Sequence, residues 1–124
     1  MKSLIFLSFA LLLIYSANIT AQDYKNINPK IDQILVDTTL VRAALITLEP
    51  GQKTNIHSHP AYFAYALTDG EIFINYIDKT TETIELKAGE SMFSLPERPH
   101  ETKNIGTKTI KFLIVELKEH PYKD

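Results

Sequence analysis

Short runs of β-branched and aromatic residues, each cut off by a turn signal, leave this chain little choice of architecture. Residues 31–37 and 40–48 are the first two runs, and Glu49-Pro50-Gly51 ends the second. A shorter run at 54–59 stops at Pro60, and 62–67 stops at Thr68-Asp69-Gly70. Residues 71–77 are rich in Ile, Phe and Tyr, and Asp78-Lys79-Thr80 fits a hairpin tip. In 81–87 Thr, Ile and Leu alternate with Glu, which predicts one wet face. Ala88-Gly89 turns the chain before 91–95, which stops at Pro96. The last runs are 100–104, closed by Ile105-Gly106, and 109–117. Branched and aromatic side chains fit a pleated strand, whereas Gly, Pro and Asp set turn geometry. Beyond the N-terminus no window has the three-and-four apolar spacing of an amphipathic helix. The pattern predicts an all-β domain of eight or nine strands. Closure into a sandwich or barrel is expected, because closure removes exposed edges. The polar tail 118–124, which contains Pro121, is expected to be loose.

The segment ahead of these strands has a different character. Lys2 precedes an apolar run at 4–15, and Ser16-Ala17-Asn18-Ile19-Thr20-Ala21 follows it. Charged start, short apolar middle and small-residue end read as a signal peptide over 1–21, cut after Ala21. Ile19 is larger than the residue usually found at that place. The run is shorter than the roughly 20 apolar residues that span a bilayer. No Cys offers a lipid anchor and no Arg pair precedes the run, so the general secretion route is expected. The expectation is therefore a secreted or periplasmic protein, with one domain over 22–124 and no membrane association once the leader is removed. Of the thirteen Lys and Arg, Lys2 leaves with the leader, so twelve face fifteen Asp and Glu, for a net charge of −3. A weakly acidic, well-mixed chain has no basic face for nucleic acid. Without Cys there is no disulfide either. A domain of this size buries a limited share of its surface, and 110–115 is very apolar, so a homodimer is expected.

Three of the four histidines fall in informative places. His57 and His59 are two apart, so on an extended strand they share a face. Two imidazole nitrogens so placed can hold one metal at about 2.0–2.1 Å. His100 completes the set only if the fold brings its strand alongside. By themselves, two exposed loop histidines give the same pattern.

The surroundings narrow this. Gly51, five residues, His57-Ser58-His59 and then Gly70 form one block. Gly89, Leu95-Pro96, His100, three residues and Asn104 form a second. Together they resemble the two paired motifs of the cupin superfamily, in the correct order and over more than half of residues 22–124. The resemblance implies a double-stranded β-helix, or jelly-roll barrel, with a metal held by His57, His59 and His100. It also implies pairing of two copies. Two departures stand out. The first motif of the family carries a Glu ligand four residues after its second His, where this chain has Phe63. The second motif is one residue shorter here, as Pro96-Glu97-Arg98-Pro99-His100. Three neutral imidazoles with open positions are then expected, for Zn, Fe, Cu, Ni or Mn.

Phe63 is expected to form a pocket wall. Tyr65 shares its face and could serve as acid, base or donor, or could simply be a packed strand tyrosine. Arg98, between Pro96 and Pro99, could clamp a substrate carboxylate or sit in solvent. Asn104 is expected to secure a turn through its side chain. Three functions stay open: a metal-dependent dioxygenase or isomerase acting on a small polar or carbonyl compound, a binding or sensing module for a sugar or organic acid, and a structural domain with a vestigial pocket. Fold resemblance does not choose among them.

Export is directly testable. N-terminal sequencing of the protein from cells should find a chain that starts near Gln22. A soluble protein that starts at Met1 would rule it out.

Overall fold

The computed structural model describes Asn28 and residues 31–124; the leader expected over 1–21 lies outside them. The described residues contain nine strands and no helix: β1 (Asp32–Asp37), β2 (Val41–Leu48), β3 (His57–His59), β4 (Tyr62–Ala66), β5 (Gly70–Tyr76), β6 (Thr81–Leu86), β7 (Ser91–Ser94), β8 (Glu97–Asn104) and β9 (Ile110–Leu117). They form two antiparallel sheets in the orders β1-β2-β9-β4-β7 and β3-β8-β5-β6. This is the closed all-β architecture that the strand punctuation predicts, and the jelly roll that the resemblance implies.

Alternation sets the inner faces. On β2 every second residue is buried, from Arg42 through Ala44 and Ile46 to Leu48. Register carries that face across the sheet, since Ala44 pairs with Ile114 and Ile114 with Ala64. From the other sheet Ile72, Ile74 and Tyr76 of β5 point into the same core. Leu48 and Ile110 are fully buried, each worth about 1.5–3 kcal/mol of burial.

The turn glycines behave as expected at two positions. Gly51 and Gly89 have φ of 77° and 88°, a region costly for other residues. Gly70 serves differently: it opens β5, and a Cβ there would collide with Cγ2 of Ile110. Close approach of the two sheets, rather than turn conformation, is what requires glycine at that site.

Three local expectations need correction. The third strand covers only His57–His59, although an isolated bridge pairs Lys53 with Lys103 just before it. The eighth begins at Glu97 and runs through Pro99, because a bulge accommodates the missing N–H. The tail is tied down at its start. Lys118 N–H donates to the Leu40 carbonyl at 2.9 Å, and Ala61 N–H donates to the His120 carbonyl at 2.8 Å. Lys118 also pairs with Asp37.

Candidate metal centre

His57 and His59 on β3 meet His100 on β8 between the two sheets, His57 directly opposite His100. One ligand nitrogen from each lies within 4.8 Å of the others. Ring centroids are 4.6 Å apart for His57–His59 and His57–His100, and 5.3 Å for His59–His100.

Hydrogen bonds decide which nitrogen faces the cluster. His57 Nδ1 lies 2.7 Å from the Asn55 carbonyl, and His100 Nδ1 lies 2.7 Å from the Arg98 carbonyl. A carbonyl can only accept, so each Nδ1 carries the proton. His59 Nδ1 lies 2.6 Å from Glu116 Oε1 and donates to it in the same way. The Nε2 atoms are left to turn inward, those of His57 and His59 standing 3.0 Å apart. Burial, with the two neighbouring imidazoles adding to it, lowers His57 to about 3. Burial also lowers His100, against the opposing pull of Glu97. At neutral pH both rings are uncharged, with Nε2 lone pairs aimed into a shared space. Two nitrogens bound at 2.0–2.1 Å and 90–109° stand about 2.8–3.4 Å apart, so the His57–His59 spacing fits a common ion.

Behind the cluster lies Glu116, fully buried on β9. It takes His59 on one oxygen and Arg42 Nε on the other, at 2.6 Å each. Burial alone would raise this carboxyl. The hydrogen bonds and charges of His59 and Arg42 outweigh it and hold Glu116 below the usual carboxylate range.

A second carboxylate reaches the front of the cluster. Glu97 Oε2 is 3.9 Å from His100 Nε2 and accepts the Tyr62 hydroxyl at 2.7 Å; Oε1 accepts the Tyr76 hydroxyl at 2.7 Å. Its orientation comes from the bulge. His57 faces His100 and His59 faces Glu97, so two residues of β3 span three of β8. The extra residue reverses the alternation, and Glu97 and His100, three apart, both turn toward the cluster. Burial first, and the neighbouring Glu97 second, raise both tyrosines, which therefore remain hydroxyl donors.

The expected pocket residues fare differently. Phe63 and Tyr65 lie on the outer face of β4, 40% and 37% exposed, while Tyr62, Ala64 and Ala66 face inward. Pro60 and Ala61 pass the chain from one sheet to the other, so the alternation of β3 does not continue into β4. Arg98 also turns away. Its Nε meets Asp78 at 2.9 Å, and its guanidinium lies 3.7 Å over the Tyr76 ring. Asn104, buried, donates to the carbonyls of Leu48 and Lys108 and accepts from Gly106 N–H, securing that turn as expected. The sequence reading missed Glu97, Glu116, Arg42, Tyr62 and Tyr76. Pro99 inside a strand was the available signal for the bulge.

The family pattern of the cupin domain matches residues 44–116, more than half of the chain. No curated protein matches the sequence. The structure is similar to a cupin domain from Bordetella pertussis, with a TM-score of 0.64 and 22% identity, covering 70% of this chain and 91% of that one. It is also similar to a conserved protein with a double-stranded β-helix domain from Klebsiella pneumoniae, with a TM-score of 0.58 and 21% identity, covering 76% and 84%. A cupin-like protein from Thermotoga maritima gives a TM-score of 0.54 at 21% identity, covering 70% and 67%.

Replacing Glu116 tests the support behind the cluster. Glu116→Gln removes the charge that faces buried Arg42 and should cost about 3–5 kcal/mol in chemical denaturation. The double variant Arg42→Met/Glu116→Leu should recover much of that loss. A single variant as stable as wild type would show that the pair does not hold the site.

Proposed function

This chain belongs to the cupin family, and on that footing we propose that it is a metal-dependent enzyme in which His57, His59 and His100 hold one divalent transition metal. One observation carries the reading: three acceptors fix the Nδ1 protons, and all three Nε2 atoms converge. Metal-bound histidines are commonly oriented in this way by a carbonyl or carboxylate on the other nitrogen. Glu97 supplies the negative charge that Phe63 does not, and its distance from His100 allows it either to join the ligand set or to stand beside it as a base. A bound ion would polarise an oxygen of the substrate, and a redox-active one would also serve O₂ chemistry.

The chain's own groups have separable tasks. Arg42 and Glu116 keep His59 in one tautomer and one orientation. Tyr62 and Tyr76 hold the Glu97 carboxylate in place and are its proton donors. The inner walls exclude water from whatever binds below. An oxygen-transferring or isomerising reaction suits a metal with open positions beside a held carboxylate, and this favours an enzyme over a passive binding module.

Two further properties belong to the same reading. Export is supported by the leader pattern of residues 1–21, and a chain that crosses unfolded acquires its metal outside the cytoplasm. Pairing with a second copy is supported by the outside of the five-stranded sheet. Val36, Ala43, Val115, Phe63 and Phe93 form one uncharged row across all five strands. Phe93 is 60% exposed. An uncharged patch is compatible with its own copy across a two-fold axis.

Elemental analysis of purified protein, beside thermal melts with and without added Zn, Cu, Fe, Ni and Mn, tests the metal. Wild type should hold close to one ion per chain, and His57→Ala, His59→Ala and His100→Ala should each lose it. If none of the five ions binds wild type or raises its melting temperature, the metal reading fails. Light scattering tests the pairing: wild type should have twice the chain mass at micromolar concentration, and Phe93→Glu should have the mass of one chain. A monomeric wild type would overturn it.

A further inference from the structure

The space below the histidines restricts what can bind there. We propose that the ligand is an amphiphile, with an oxygen-bearing head at the histidines and an apolar body in the cavity between the sheets. This rests on the metal reading above for the head group, and on the cavity alone for the body.

The cavity measures about 220 Å³. It exists because the five-stranded sheet presents alanines. Ala44, Ala64 and Ala66 line one side, and Ile72 and Ile74 of β5 line the other. A leucine at any of the three alanines would fill space that is now open. The next register pair, Leu48 and Ile110, is fully buried and closes the core beyond. That volume includes the space at His57, His59, His100 and Glu97, so at about 30 Å³ per water-sized group it admits roughly seven non-hydrogen atoms for head and body together.

The polar lining is confined to particular places: Asp32 and Arg42 lie at the end shared with His59 and Glu116, and Ser91 is exposed on the edge strand β7. Thr54 and Thr102 bond to each other, since Thr102 N–H donates to Thr54 Oγ1 and Thr54 N–H to the Thr102 carbonyl, at 2.9 Å each. The charged residues Glu85, Lys87 and Glu90 are exposed and lie on or beside the edge strands β6 and β7, where the cavity reaches solvent. A sugar placed against the alanine wall would bury hydroxyls without partners, each weakening binding by roughly tenfold or more. A hydrocarbon chain or ring meets matching walls. The sugar that the sequence left open is therefore the poorer fit, and a compound with an apolar tail, an organic acid of that kind included, is the better one.

Straight-chain alkyl hydroxamates, from acetohydroxamate to octanohydroxamate, probe both halves in the metal-loaded full protein. The hydroxamate group chelates transition metals, and only the chain varies. Calorimetry should show affinity rising about fourfold per added methylene and levelling off once the cavity is filled, near four carbons. Ala64→Leu, with Ala44→Val as a second filling variant, should bind acetohydroxamate like wild type and lose the gain with chain length. If wild type binds every member of the series equally, the apolar-body inference is overturned and the metal reading stands. If no member binds, the head-group half of the proposal is overturned, because the bound ion offers no open position, and melts of metal-free protein with 1-propanol to 1-octanol decide the cavity. A melting temperature that rises with alcohol length supports the apolar body, and one that does not overturns it.

Discussion

The buried carboxylate of Glu116 is the interaction on which the site depends. It sits in the middle of the five-stranded sheet, on β9, and grips Arg42 from the neighbouring strand. Its other oxygen reaches across to His59 in the opposing sheet. One side chain thus ties both sheets together and fixes the tautomer of a histidine in the cluster. A buried ion pair is seldom a net gain in stability over apolar packing, but removing one partner is costly. The arrangement therefore defines the geometry of the cluster more than it strengthens the barrel.

Much of the fold was legible because its signals are local. Turn residues and β-branched runs marked nine strands, and glycines at positive φ marked two of the turns. The histidines were legible for a similar reason, since two of them share a strand face and the third follows a Pro-containing turn. The carboxylates were not. Glu116 belongs to a run that reads only as an apolar strand, and its partners lie 57 and 74 residues away. Glu97 was hidden by a change of phase. Regular alternation gives it the opposite face from His100, and only the extra residue in β8 turns both toward the cluster. Phe63 was placed by its spacing in the family motif and Tyr65 by sharing its face; the chain changes sheets at Pro60 and Ala61, and on β4 that face looks outward.

The two departures from the family motifs have different outcomes in the structure. The position that lacks a carboxylate faces outward on β4, where Phe63 contributes to an apolar row. The shortened second motif contains the bulge that delivers Glu97. Negative charge has not left the neighbourhood of the histidines; it comes from β8, the strand of His100 itself, held by two tyrosine hydroxyls.

The strand order also dictates when the centre can come into being. The last of the described strands, β9, lies between β2 and β4, so the five-stranded sheet has a gap in its middle until β9 arrives. Pairings so distant in sequence form slowly, and until they form the inner edges of β2 and β4 are open to other chains. Glu116 arrives with that strand. A chain that stops short of β9 can therefore carry all three histidines and still lack the group that orients His59, so the strand that closes the sheet also sets the geometry of the centre.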